Sequence, residues 1–298
     1  MDRRKFMIKS SLIMAGSSLS GLEGVFKTPV IRFGMVADPH YAETDPLNSS
    51  NRYYKHSDEK LEAAISLFNA EKLDFIIELG DFKDQDAKPN KMNTLRYLRD
   101  IEKVFTSFDG PRYHVLGNHD MDSISKKEFQ ENVENTGISK EEYYYSFDQK
   151  DFHFVVLDAN FTKSGRHYSR GNFDWTDSNI NPRQLKWLKN DLANTDKPTI
   201  VFVHHRLDTP HAQHKIYCIR NASKVRAVLE KSGKVAAVFH GHDHEGDYSS
   251  LNGIHYFTQY AMVSGPFPEN NSYSIVEIFG NGDIRIDGYV NCQGRVME

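Results

Sequence analysis

Six short apolar runs of strand length each end in a polar cluster, and this punctuation constrains the fold more than any other feature of the chain. The runs are IRFGMVAD (31–38), DFIIELGD (74–81), RYHVLGNHD (112–120), FHFVVLDA (152–159), PTIVFVHH (198–205) and VAAVFHGHDH (235–244). Continuous rather than alternating hydrophobicity marks strands covered on both faces. Between the runs, SDEKLEAAISLFNAEK (57–72), NKMNTLRYLRDIEKVF (90–105), NPRQLKWLKNDLANT (181–195) and SKVRAVLEKSG (223–233) carry apolar residues at helical spacing. Asn181 and Pro182 supply a cap and first-turn pair, and Gly233 a stop. Toward the C-terminus GIHYFTQ, SYSIVEIF and DIRIDGYV predict a meander, with NGD turning between the last two. No internal repeat or low-complexity linker interrupts the pattern from Val30 onward. One domain over 28–298 is therefore expected, an α/β fold of two mixed sheets packed face to face and flanked by helices.

The first 27 residues are set apart from that domain. Paired Arg3 and Arg4, then Lys5 and Phe6, precede a moderately apolar stretch from Met7 to Leu19 that ends among small residues. This is the order of an export signal, and the arginine pair resembles a twin-arginine one. The stretch is too short and Ser-rich to anchor in a bilayer. Handling by the twin-arginine machinery and a bacterial periplasmic location are expected, with a cytoplasmic one if the segment is not a signal. A net charge of -4 gives no basic excess for a nucleic-acid polymer or an anionic membrane. Two cysteines, Cys218 and Cys292, are too few for a thiolate zinc site and read as separate free thiols.

Chemistry gathers beyond five of the six runs, where layered α/β folds place ligand-binding groups. These positions hold Asp38 and His40; Gly80, Asp81 and Asp84; Gly117, Asn118, His119 and Asp120; His204 and His205; and Gly241, His242 and His244. Asp158, in the remaining run FHFVVLDA, reads as a turn or capping residue. Residues at i and i+2, as in DPH or HDH, leave a strand end on the same side and grip one ion or two adjacent ions. A carboxylate such as Asp81 can bridge two cations. Nitrogen and oxygen ligands without thiolate favour Mn, Fe or Zn over Ca or Mg. Any one motif is weak alone, because Asn, Asp and Gly are ordinary turn residues.

The order DxH, GDxxD, GNHD, a strand-end His pair and GHxH resembles the calcineurin-like metallophosphoesterase superfamily. That resemblance implies a four-layer αββα sandwich and a site for two divalent metal ions. By position, Asp38, His40 and His244 would hold the first metal, Asn118, His204 and His242 the second, and Asp81 would bridge. His119 falls where the family's histidine sits by the substrate oxygen, with Asp84 as its carboxylate partner. Asn118, His205 and Arg206 would lie on the substrate side; Arg206 stands where the family usually has Pro, and it either takes a second phosphate at the rim with its guanidinium or is a surface arginine paired with Asp208 or with solvent. RYYKHSDEKLEAAI, LGDFKD, YYYSFDQKDFHFVVLDA and NPRQLKWLKNDL are similar to the manganese-dependent ADP-ribose/CDP-alcohol diphosphatase branch, whose vertebrate members carry Gln where this chain has His40. The implied activity is hydrolysis of phosphodiester or pyrophosphate bonds in nucleotide-like small molecules. A phosphomonoesterase on the same metal core is the enzymatic alternative. A non-enzymatic metal-binding protein on this fold is the alternative of another class.

Outside these motifs the expectations are structural. His153 and His240 lie in strand runs and are expected to be packed or hydrogen-bonded. His167, His211 and His214 sit in polar segments and are expected to be exposed. Tyr143, Tyr144 and Tyr145 read as core and edge filling. Lys126, Lys127 and the KEE run near 140 read as a solvated helix face.

Overall fold

The computed structural model describes residues 28–44, 51–209 and 215–298, with the backbone alone of 212–214. The proposed export segment, His211 and the side chain of His214 lie outside the described residues. In chain order the elements are β1 (Ile31–Val36), α1 (Ser57–Ala70), β2 (Phe75–Glu78), α2 (Lys91–Phe105), β3 (Arg112–His114), α3 (Lys126–Asn132), β4 (Tyr145–Gln149) and β5 (Phe152–Leu157). There follow α4 (Pro182–Asn194), β6 (Thr199–Val203), α5 (Ala222–Ser232), β7 (Val235–His240), β8 (Asp247–Leu251), β9 (Ile254–Thr258), β10 (Ser272–Ile278), β11 (Ile284–Val290) and β12 (Arg295–Met297). The predicted helix signals act locally. Asn90 accepts from the backbone of Met92 and Asn93, Asn181 accepts from Gln184 with Pro182 in the first turn, and Gly233 closes α5 at a left-handed φ of 65°.

The strands form two mixed six-stranded sheets, ordered β12-β11-β10-β1-β2-β3 and β4-β5-β6-β7-β9-β8. Successive strand residues point to opposite faces. Phe33, Phe75 and Ile77 of one sheet and Phe154, Ile200, Phe202 and Phe239 of the other meet in a buried layer between the sheets. Phe33 stacks on Phe75 at 4.8 Å and meets Phe154, Phe202 and Phe239 edge-on. On the outer faces, α1 and α2 bury Leu61, Phe68, Leu98 and Phe105 with Ile76, while Leu188, Leu192, Val225 and Leu229 of α4 and α5 pack on Val201 and Val238. Helices, sheet, sheet and helices make the expected αββα layers.

Three expectations change. The C-terminal strands are not one meander: β9 pairs in parallel with β7 and antiparallel with β8, whereas β10, β11 and β12 continue the other sheet. Lys126 is buried, not solvated, with its ammonium on the carboxylate of buried Asp158 and 3.8 Å from the centre of the Phe161 ring. The KEE run is an exposed turn. Asp158 keeps the expected capping role, accepting from the Asn160 backbone at 2.9 Å. His153 lies between Asp148 and Asp191 at 2.7 and 2.9 Å, His240 is buried and accepts from Leu207 N, and His167 is exposed. Both cysteines are buried, and the Cys218 thiol donates to the Asp208 carbonyl at 2.9 Å.

Candidate metal centre

Neighbouring strands bring the five polar clusters to one edge of the sandwich, because parallel β1, β2 and β3, and parallel β5, β6 and β7, all end on the same side. Immediately beyond those ends the backbone turns sharply. Asp38, His40, Asp81 and His242 adopt φ of 52°, 47°, 56° and 68°. Side-chain-bearing residues enter this left-handed region at a cost and persist there where the surroundings over-determine them. The surroundings here are dense. A Cβ on Gly117 would lie 2.1 Å from Asp81 N, and one on Gly80, itself at φ 98°, would lie 2.5 Å from His204 Nδ1.

Two ligand sets result, sharing a wall. Asp38, His40 and His244 offer donor atoms within 4.8 Å of one another, as do Asp81, His204 and His242. His40 Nε2 lies 3.2 Å from His244 Nε2 and 3.6 Å from Asp81 Oδ2, and His204 Nε2 lies 3.1 Å from the same Asp81 oxygen. Among the described residues, buried Asn118 Oδ1 and His242 Nε2 have no hydrogen-bond partner. Polar atoms are rarely left so without reason.

The tautomers explain what is missing. His204 Nδ1 donates to Leu79 O at 2.8 Å and His40 Nδ1 to Asp84 Oδ2 at 3.0 Å, so in the neutral rings each Nε2 carries a lone pair. Lone pairs facing each other and a carboxylate call for positive charge. Burial alone would depress His204, yet the Asp81 carboxylate overcomes it and lifts the imidazole to about 9. Burial also opposes ionisation of Asp81, but His204 and His119 hold its carboxyl well below the usual range. Burial pushes His40 and His242 well below their ordinary value and His244 down to about 3, which keeps these imidazoles in the neutral, metal-binding form. The donor set therefore fits divalent cations.

A ring of hydrogen bonds holds these groups in place. Asp120 accepts from the backbone of Asp81, Phe82 and Gly117 at 3.1, 3.0 and 2.8 Å, fixing two ligand loops to each other. Asp38 accepts from His242 N at 3.0 Å, joining β1 to β7 across the site. At the end of β2, buried Glu78 accepts from Gly80 N at 2.5 Å and meets the His114 ring at 3.2 Å. Such outer partners tune and orient metal ligands.

The predicted non-ligand residues are placed differently from expectation. His119 is 29% exposed over the centre, its ring edge-on to His40 at 4.8 Å. Its Nδ1 bonds Asp122 Oδ2 at 2.7 Å, while Asp84 is 3.8 Å away and instead orients His40. Asp122 takes the role expected of Asp84 because a short 3-10 turn over His119–Met121 puts residue i+3 beside the ring. Burial lowers the His119 imidazole, but Asp122, Asp84 and Asp81 outweigh it and raise it to about 10. His205 is wholly buried, 4.4 Å from the His242 ring and with both ring nitrogens unpartnered among the described residues, so it backs His242 and offers substrate no surface. The residue that sequence reasoning passed over is Arg52. Its guanidinium lies 4.0 Å from Asp84 Oδ2, its side chain is 28% exposed, and its charge lowers His40 and His244. The only trace of it in the sequence is its place in the RYYKH stretch.

Arg206 requires the largest correction. It has no exposure, and its guanidinium bonds Asp243 and Asp247 at 2.7 Å each and Asp208 at 3.0 Å. Three inward-turned carboxylates would be too costly to bury without it, so the arginine serves the fold and lies away from substrate. Since Asp243 separates His242 from His244, the cluster also anchors the ligand loop. Arg206→Met is expected to destabilise the protein by about 3–5 kcal/mol, the cost of breaking a buried ion-pair network from one side. Urea denaturation of wild type and variant measures this, and a difference below about 1 kcal/mol would mean that the carboxylates are solvated.

Two six-stranded sheets with this ligand set at their strand ends define a metal-dependent phosphoester hydrolase. Residues 31–246 match the family model for calcineurin-like phosphoesterases, and the chain belongs to that family. Among curated proteins it is similar to the manganese-dependent ADP-ribose/CDP-alcohol diphosphatase of Oryza sativa subsp. japonica, 26% identical over 85% of this chain and 89% of that one. The protein of the same name from Xenopus laevis is 24% identical over 84% and 86%. Among solved structures, a dimetal phosphatase from Danio rerio shares the fold, with a TM-score of 0.76 at 21% identity, covering 90% of this chain and 98% of that one.

Proposed function

We propose that this enzyme cleaves the diphosphate or phosphodiester linkage of nucleotide-like small molecules at a pair of divalent cations. The observation that carries the reading is Asp81, whose Oδ2 faces ring nitrogens of both ligand sets, at 3.6 Å from His40 and 3.1 Å from His204. Asp38, His40 and His244 would hold one cation, Asn118, His204 and His242 the other, and Asp81 both. When bound, such cations polarise phosphate oxygens and lower the pKa of an attacking water. Manganese, iron and zinc suit the nitrogen and oxygen donors, and manganese is the metal in the relatives' names.

The remaining steps belong to the protein. Asp122 fixes His119 through Nδ1 and keeps it protonated, leaving Nε2 to donate to a phosphate or leaving-group oxygen. Asp84 orients His40. Arg52, partly exposed beside the first ligand set, takes the part first expected of Arg206, holding the second phosphate of a diphosphate. The test is turnover by the manganese-loaded protein of ADP-ribose, a CDP-alcohol, a cyclic nucleotide, and bis- and mono-p-nitrophenyl phosphate. Higher kcat/KM on the diphosphates and the diester is expected. Preference for the monoester would make the protein a phosphatase, and metal uptake without turnover of any substrate would make it a binding protein.

The amino-terminal pattern supports export. Replacing Arg3 and Arg4 with Lys is expected to retain the protein in the cytoplasm of a bacterial host, because a twin-arginine signal is read through that pair. Cell fractionation checks this, and unchanged export would mean another route.

A further inference from the structure

We propose that Trp175 and Tyr217 form the subsite for the nucleobase, with the base stacking on the outward face of the indole; this rests on the nucleotide-hydrolase reading above. Both rings border the second ligand set. Trp175 lies edge-on to the His242 ring at 5.4 Å and Tyr217 at 5.5 Å, and the two stack on each other at 6.0 Å with planes 28° apart. Trp175 is 37% exposed, whereas the other aromatic rings named in the sandwich core are buried. The indole thus offers a partly exposed aromatic surface beside His242.

The geometry limits how a base can bind. A ring inserted between the two aromatics would need about 7 Å, two stacking intervals of about 3.5 Å, so the base takes the free face of Trp175. The platform is formed in advance. Asp174 Oδ1 accepts from Thr176 N and Oγ1 at 2.9 and 2.8 Å, Tyr168 holds the Asp174 carbonyl at 3.0 Å, and Arg220 reaches Thr176 Oγ1 at 3.4 Å. Fixing the ring beforehand removes an ordering cost from binding. A phosphate held at His242 would carry its 5′-nucleoside toward Trp175. The indole reads only a π face, so the site selects a nucleotide group without demanding a particular base.

The alternative is that the rings merely brace His242. The chain has two tryptophans, and Trp187 of α4 packs at a tilt against Tyr144 instead, so a Trp187→Phe background makes Trp175 the sole indole emitter. In that background, with and without zinc, AMP and CMP are expected to quench the emission saturably and ribose 5-phosphate is not. Quenching by ribose 5-phosphate to the same extent, or none by either nucleotide, overturns the proposal without reference to catalysis. As inhibitors of bis-p-nitrophenyl phosphate hydrolysis, AMP should weaken roughly 5- to 100-fold in Trp175→Ala, while ribose 5-phosphate is unchanged and Trp175→Phe retains most of the AMP affinity. Parallel weakening of both inhibitors would mean that Trp175 acts through His242. Absence of diester hydrolysis in the parent protein would instead refute the hydrolase reading, and the fluorescence result would still decide the base subsite.

Discussion

Asp81→Asn is expected to cut turnover by about 10³-fold or more while leaving the protein folded, a loss consistent with removing charge stabilisation from a dimetal site. The substitution keeps the size of the side chain and removes its charge. Asp81 Oδ1 accepts from His119 N at 2.7 Å, a bond that an amide oxygen can still receive. Its backbone is held independently, by His40 N on the Asp81 carbonyl at 2.8 Å and by Asp120 on Asp81 N. What the amide cannot supply is an anionic oxygen facing both His40 and His204, and two cations close together repel unless an anion lies between them. Metal analysis with circular dichroism is the check. An unchanged spectrum with at least one metal lost is the expected result, and retention of both metals with more than about a tenth of the rate would end the bridging assignment.

His119→Ala is expected to cost roughly 10²–10⁴ in kcat with metal content unchanged, the range for loss of a positioned general acid. This outcome separates two roles that the geometry places close together, since the donor atoms of His40, Asp81 and His119 also lie within 4.8 Å of one another. The hydrogen bond decides between them. His119 Nδ1 is committed to Asp122, and the carboxylates around it raise it to about 10, which suits a proton donor better than a neutral ligand. Loss of a metal ion in the variant would make His119 a ligand instead. Asp122→Asn should produce a smaller fall in kcat with the same metal content, because it leaves the imidazole present but weakens its orientation and its hold on the proton.

How much of this was legible in the sequence depends on the distance over which each feature is encoded. Strand runs, helix caps and the polar clusters beyond the runs are local. Apolar residues at 74–79 require cover on two sides, Asn181 with Pro182 starts a helix wherever the chain goes, and Gly80 next to Asp81 permits the turn that a ligand loop needs. Because parallel strands end on one side of a sheet, the order of the motifs was enough to gather Asp38, His40, Asp81, Asn118, His204, His242 and His244 at one edge. The edge strands β4, β8 and β12 were not legible, since strands covered on one face carry polar residues and resemble loops.

Choice of partner among chemically equivalent groups was decided by the tertiary structure alone. Asp84 and Asp122 are both aspartates near His119, and only the turn of the backbone gives one to His119 and the other to His40. Arg206 reads as a cation beside a ligand; folding brings Asp208, Asp243 and Asp247 around it, and ion pairing in a buried space of low polarity outweighs exposure to solvent. Lys126 is drawn inward by Asp158 for the same reason. Trp175, in a segment without apolar periodicity, acquires its meaning only when β7 delivers His242 beside it. Local sequence thus determined which groups the strands would carry to the edge, through periodicity and turn chemistry, whereas long-range packing determined which charge each would meet, because that energy depends on distances the linear order does not contain.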